Sequence, residues 1–174
     1  MNITPTSSGL TIRPSVLADL PILYDMVRRF SVELGTETGL SATAEDWGRD
    51  GFGANPRFST VVAEDAGGLF GLATWTEFYL TDLGRTIYFV QQLYVEPTRR
   101  RQGIGRTLMG YIAALAERNG IPMVQLGVLN NPLAKSLYQR IGFQRAVGYT
   151  TYVLFGTALA EAAAAALDLL TRLG

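Results

Sequence analysis

The stretch QQLYVEPTRRRQGIGRTLM, residues 91–109, changes its period at the centre. Up to Val95 it completes RTIYFVQQLYV (85–95), a run rich in β-branched and aromatic residues that predicts a strand. From Gly103 it opens GIGRTLMGYIAALAERNG (103–120), whose apolar spacing predicts a helix closed by Gly120, with Pro122 just beyond. The loop between strand and helix carries the register Arg100-x-x-Gly103-x-Gly105. Glycines there let the backbone approach a ligand with no Cβ in the way. The first helical turn leaves N–H groups without intrachain partners, and the helix dipole favours an anion at that end. Arg99, Arg100, Arg101 and Arg106 concentrate positive charge at the same point. The arrangement suits a diphosphate. A dinucleotide fingerprint would need the longer G-x-G-x-x-G and an acidic residue about twenty positions on, and a nucleotide-triphosphate loop would need G-K-[ST]; neither is present.

On the N-terminal side, FSTVVAED (58–65), LFGLATWTEFYL (69–80) and the strand at 85–95 read as an antiparallel meander with AGG and TDLG as turns. LTIRPS (10–15) reads as a short strand, and residues 1–9 as a loose terminus. Leu17, Leu20, Leu23, Met26, Val27, Phe30 and Leu34 recur at helical spacing over Val16 to Leu34. Thr43, with Asp46 three residues on, predicts the capped start of a short second helix that GFGANP ends. On the C-terminal side come a strand at 123–129, a helix at 131–142 capped by Asn130 or Asn131, two strands around Gly148, and an Ala-rich helix to the end. The order predicts an α/β fold of mixed type: a central, mostly antiparallel sheet with helices on both faces. One domain is expected over 10–155, with 156–174 as a helix packing on that domain or on a second copy.

The chain has 174 residues, and its 15 Lys and Arg balance its 15 Asp and Glu. That balance provides no bulk field for a nucleic-acid backbone or an anionic membrane, so neither is an expected partner. There is no cysteine and no histidine. These absences remove a thiol nucleophile, a Ser-His-Asp triad, an imidazole base and any Cys/His zinc site, and no metal is expected. Proton transfer falls to Tyr, Asp, Glu, water or the substrate. The N-terminal MNITPTSSGLTIRP has neither a basic n-region nor a long apolar run, and cytoplasmic location is the default expectation.

The segment QQLYVEPTRRRQGIGRTLM resembles the signature of GNAT acetyltransferases, in which R/Q-x-x-G-x-G/A follows a strand ending in an aliphatic-aromatic-Val triplet. Downstream, Asn131-x-x-Ala134-x-x-Leu137-Tyr138-x-x-x-Gly142-Phe143 is similar to the second family motif, and the resemblance spans residues 10–155. It implies acetyl-CoA as acyl donor, with backbone N–H groups of Gln102, Gly103, Ile104 and Gly105 holding the diphosphate and Arg100 assisting among Arg101 and Arg106. It also implies Leu93 and Val95 as backbone partners of the pantetheine arm, with the thioester carbonyl near the Leu93 N–H. Asn131 and Tyr138 would lie alongside, the Tyr138 hydroxyl protonating the departing thiolate. An aromatic residue on a helix is otherwise a packing residue whose hydroxyl satisfies a backbone group. The implied function is acetyl transfer to a primary amine of a small molecule, directly and without a covalent acyl-enzyme. By the same analogy, the assembly is a homodimer.

ATAEDWGRDGFGANPRF and GRTIYFVQQLYV most resemble the diamine acetyltransferase branch, which carries a Glu-Asp pair where this chain has Gln91 and Gln92. Glutamine cannot take a proton from an ammonium, though it donates and accepts hydrogen bonds and positions water. Gln91 is therefore retained as a site residue, with Glu33, Glu37 and Glu77 as candidate carboxylates that are otherwise solvated surface acids. Arg28 and Arg29 make an anionic group on the acceptor as plausible as a second amine. Trp47, Trp75, Phe78 and Tyr79 are either acceptor-pocket walls or core. The glutamine pair also leaves open a different class, an acyl-CoA-binding sensor or partner-binding module with the same fold.

Overall fold

A computed structural model of the chain describes residues 9–129, 131–146, 154 and 157–163, with the side chain of residue 37 outside that set. The chain forms two compact units, one running to Leu137 and the other from Tyr138 onward. The first holds a five-stranded sheet in sequence order: β1 (Thr11–Pro14), β2 (Ser59–Asp65), β3 (Gly68–Leu80), β4 (Arg85–Val95) and β5 (Val124–Leu126). The first four strands are antiparallel neighbours, and β5 pairs in parallel with β4. The expected meander and mixed sheet are both present. It is accompanied by the helices α1 (Leu20–Leu34), α2 (Ala44–Phe52), α3 (Ile104–Arg118) and α4 (Pro132–Ile141).

Helix α1 starts four residues later than its apolar spacing predicts, because 17–19 form a 3-10 turn. Asp19 causes the difference. Its Oδ2 accepts the Val16 N–H at 2.8 Å, while Arg13 grips both carboxylate oxygens at 2.7 and 2.9 Å. Arg13 also reaches both oxygens of Glu64 at 2.8 Å, so one guanidinium ties β1, β2 and the entry to α1 together. The helix ends at Gly35, whose φ of 66° is the left-handed cap that glycine adopts without penalty. Helix α2 begins as its sequence predicts: Thr43 Oγ1 accepts the Asp46 N–H at 3.1 Å, and Asp46 Oδ2 accepts the Thr43 N–H at 2.9 Å.

Leu23, Met26 and Val27 of α1 and Trp47 of α2 cover one face of the sheet, packing on Val62, Leu72 and Tyr94. Helix α3 covers the other face with the buried Leu108, Met109 and Ile112. A Cβ on Gly71 would stand 3.5 Å from Leu108 Cδ1 and 3.2 Å from the Tyr94 carbonyl oxygen, so the bare backbone there lets α3 sit close. Each fully buried aliphatic side chain in these layers contributes about 2 kcal/mol by removal from water. The unit boundary at Leu137/Tyr138 falls within α4, inside the span 10–155 that the sequence reads as one domain. Of the two strands expected around Gly148, residues 147–153 lie outside the described set, and Phe143 to Ala146 carry no strand. Residues 157–163 are helical, as the Ala-rich tail predicts. The loose terminus at 1–8 and the rest of the tail, 164–174, lie outside the described residues.

Candidate active site

Strand β4 pairs with β5 only at Tyr88, Phe89 and Val90, opposite Val124, Gln125 and Leu126. Beyond Val90 it continues along β3 to Val95, so among the described residues Leu93, Tyr94 and Val95 have no strand partner on their outer side. The register on the β3 side slips at the same place. Thr74 faces Gln92 and Trp75 faces Val90, which leaves Gln91 as the extra residue of a β-bulge. Gln91 is exposed, while Gln92 and Leu93 are half-buried. Leu93 lies on the α3 face, with its Cδ2 3.8 Å from where a Gly105 Cβ would stand.

The four arginines of the loop divide by role. Arg99 pairs with Asp65 and lies over the Phe70 ring at 4.3 Å. Arg100 donates from Nε to the Val95 carbonyl at 2.8 Å and from both terminal nitrogens to Glu33 at 2.7 and 2.6 Å. Glu33 thereby raises the pKa of Arg100 above its ordinary value. Arg101 and Arg106 are exposed, and neither has an acidic partner among the described residues. Arg101 adopts φ 62° and Gly103 φ 81°, two left-handed residues that turn the backbone into the start of α3. Gln102 is exposed between them. No atom lies within 4 Å of a Cβ built on Gly103, and Gly105 faces Leu137 Cδ2 at 3.4 Å. The N–H groups of Gly103, Ile104 and Gly105 have no helical carbonyl behind them. An open glycine turn, free helix-start amides and two uncommitted guanidinium groups fit a diphosphate.

Asn131 caps α4, its Oδ1 accepting the N–H groups of Leu133 and Ala134 at 3.0 and 3.2 Å. That is the structural role expected of it, and it commits the side-chain oxygen. Tyr138 opens the second unit, where its ring meets Phe143 edge to face at 5.7 Å. Burial pushes its hydroxyl above the ordinary tyrosine pKa, so the phenol stays protonated through the neutral range.

Among the candidate carboxylates, Glu33 is committed to Arg100. Glu77 is exposed opposite Tyr88 at the far end of β3, and the side chain of Glu37 lies outside the described residues. Trp47 and Trp75 are buried core residues at 7% and 6% exposure, whereas Phe78 and Tyr79 are exposed at 53% and 58%. Arg29 is held by Asp25 and by Glu96 at 2.7 Å. Arg28 has no acidic partner among the described residues and lines, with Val32, Tyr94 and Pro97, a groove of about 400 Å³ between α1 and the end of β4. No group of three or more Asp or Glu residues forms a metal-holding cluster among the described residues.

Strand β4 thus parts from β5 beside a glycine turn that opens α3. The family model described as an acetyltransferase (GNAT) domain matches residues 56–145. The chain belongs to the GNAT family and is an acetyl-CoA-dependent N-acetyltransferase. It is 29% identical over 168 residues to a thialysine N-epsilon-acetyltransferase of Sus scrofa, covering 90% of this chain and 98% of the relative. It is 34% identical over 126 residues to the enzyme of the same name from Mus musculus, covering 66% of this chain and 74% of the relative. Among solved structures, a predicted acetyltransferase from Clostridium acetobutylicum with acetyl-CoA shares the fold at a TM-score of 0.68. There the identity is 18%, with 83% of this chain and 96% of that one covered.

Three features of the site are absent from the sequence reading. The bulge at Gln91 has no local signature, since it arises from a register that only pairing with β3 reveals. The Arg100–Glu33 bond joins residues 67 positions apart. The commitment of Arg99 to Asp65 also joins distant parts of the chain, although the excess of arginines over those a diphosphate needs is itself a signal that some are structural.

Proposed function

We propose that the open edge of β4 and the turn at 100–105 bind acetyl-CoA between them, and that the acetyl group passes directly to the primary amine of a small-molecule acceptor. The observation that carries this reading is the parting of β4 from β5 at Val90, beside a helix start whose loop holds Arg101 and Gly103 left-handed. Bound there, the cofactor supplies an activated thioester. The N–H groups of Gln102, Gly103, Ile104 and Gly105 hold its diphosphate, with Arg101 and Arg106 as counter-charges. Arg100 assists by shaping the loop, with three of its five N–H groups committed to Val95 and Glu33.

At the reacting end, the Leu93 N–H polarises the thioester carbonyl, the Val95 backbone holds the arm, and Gln91 positions the water that takes the amine proton. The amine nitrogen forms the new bond to the acyl carbon as the carbon–sulfur bond breaks. Tyr138, protonated at neutral pH, gives its proton to the departing sulfur. Asn131 holds α4, which carries Tyr138, at its first turn.

The relatives named for thialysine make an amino acid with an aminoalkyl side chain the leading acceptor class. The balanced charge supports a small-molecule substrate in place of nucleic acid or membrane. Cytoplasmic location and a homodimeric assembly complete the proposal. No helix among the described residues is long and apolar enough to cross a membrane. Two-substrate kinetics test direct transfer: intersecting lines, with no mass gain on the protein incubated with acetyl-CoA alone, support it. Parallel lines with an acetylated protein overturn it.

A further inference from the structure

On the sheet face beneath α1 and α2, polar side chains cross three strands at one level. Thr60 of β2, Thr74 of β3 and Gln92 of β4 are successive cross-strand partners, so their side chains leave the same face. Thr60 and Thr74 are 7% and 1% exposed. The Thr74 hydroxyl donates to Gln92 Oε1 at 3.1 Å, whereas Thr60 Oγ1 is buried with no hydrogen-bond partner among the described residues. Valine fills the same space without a hydroxyl to desolvate, so stability alone does not account for two threonines here. The row ends at the bulge, one residue from Gln91, where β4 has already left β5. Its outer member therefore borders the cleft.

We propose that Thr74 and Gln92 set acceptor specificity, selecting a primary amine that also carries a hydrogen-bond-accepting group, an amino-acid carboxylate above all, over a plain diamine. The proposal rests on the transferase reading above and deepens it. With Oε1 held by Thr74, the Nε2 hydrogens are the part of the amide left for a ligand. A carboxylate at this position would attract a second ammonium; the amide nitrogen offers only donors, which pair with a carboxylate or hydroxyl and give an ammonium nothing.

The test compares kcat/KM for L-lysine with that for cadaverine, which differ by the carboxylate alone. The wild-type protein favours lysine by about tenfold, the worth of one good hydrogen bond. Thr74→Val keeps the shape of the side chain but removes the donor that orients the amide. It brings the ratio toward one while leaving acetyl-CoA affinity within about twofold, a change that a purely structural loss would not produce. Gln92→Glu reverses the preference. A wild-type preference for cadaverine, or a ratio unmoved by Thr74→Val, overturns the proposal. If no amine releases thiol, the transferase reading fails instead. Titration of lysine and cadaverine into CoA-saturated protein then still decides the specificity claim, because equal affinities contradict it.

Discussion

Arg100 and Glu33 meet in a two-pronged ion pair, Nη1 to Oε1 at 2.7 Å and Nη2 to Oε2 at 2.6 Å, that ties the cofactor loop to the last turn of α1. The guanidinium also stands 5.7 Å from the centroid of the Tyr94 ring, and its Nε holds the Val95 carbonyl. Charge in this loop is thus divided: Arg99 and Arg100 hold the loop in place, and Arg101 and Arg106 are left for the proposed ligand.

That division predicts two classes of arginine variant. Arg101→Ala and Arg106→Ala leave the melting temperature unchanged and weaken acetyl-CoA binding about three- to tenfold each, with the loss shrinking as salt is added. Arg99→Ala and Glu33→Ala lower stability by up to about 1 kcal/mol, since both pairs are partly exposed, and alter binding only through the shape of the loop. Calorimetric titration beside thermal melts separates the two classes.

Gly103 sits at φ 81° with open space around it, so a side chain there meets backbone strain and no clash. Gly103→Ala therefore costs about 1–2 kcal/mol of stability and raises the acetyl-CoA dissociation constant. Gly105→Ala is milder, because its Cβ meets Leu137 at an ordinary contact distance of 3.4 Å. Equal effects of the two substitutions on binding would show that the left-handed turn does not shape the phosphate site.

Tyr138→Phe removes the proposed acid. Turnover falls about a hundredfold while acetyl-CoA affinity is unchanged. Because burial raises the phenol above its ordinary pKa of 10, the protonated, active form persists to higher pH than a free tyrosine allows, and activity is lost only as pH rises through the raised value. The variant loses that alkaline limb, which a pH–rate profile reads directly.

Asp19 titrates below its ordinary value because Arg13 holds both of its oxygens. A depressed carboxylate pKa gives stability that is complete above the unfolded value of 3.8 and lost as pH falls through the lower folded one. Asp19→Asn destabilises by about 2 kcal/mol at neutral pH, and its stability converges with that of the wild-type protein only once the pH has fallen below the lowered folded value. Urea unfolding at several pH values measures both effects.

Much of this molecule is legible from local pattern. The turn from strand to helix at 91–109, the capping box at Thr43 and Asp46, and the glycine stops at Gly35 and Gly120 depend on residues within a few positions of one another. What distance along the chain hides is pairing. The start of α1 differs from its apolar spacing because Arg13, itself held by Glu64, fixes Asp19, and the bulge at Gln91 exists only against β3. Glu33, read as a free acid near the acceptor, is drawn to Arg100 because a guanidinium left unpaired at the end of β4 has a carboxylate one helix away. The glutamine pair shows both limits. Its departure from Glu-Asp is visible in the sequence, whereas the orientation of the Gln92 amide depends on Thr74 across the strand.

The most direct measurement is thiol release from acetyl-CoA in the presence of lysine, thialysine, diamines, aminoglycosides and peptides, with the mass of each acceptor read afterwards. Release of CoA matched by an acetyl mass gain on a small primary amine is the predicted result. Tight binding of acetyl-CoA with no release and no acetylated product from any member of the panel would contradict the account.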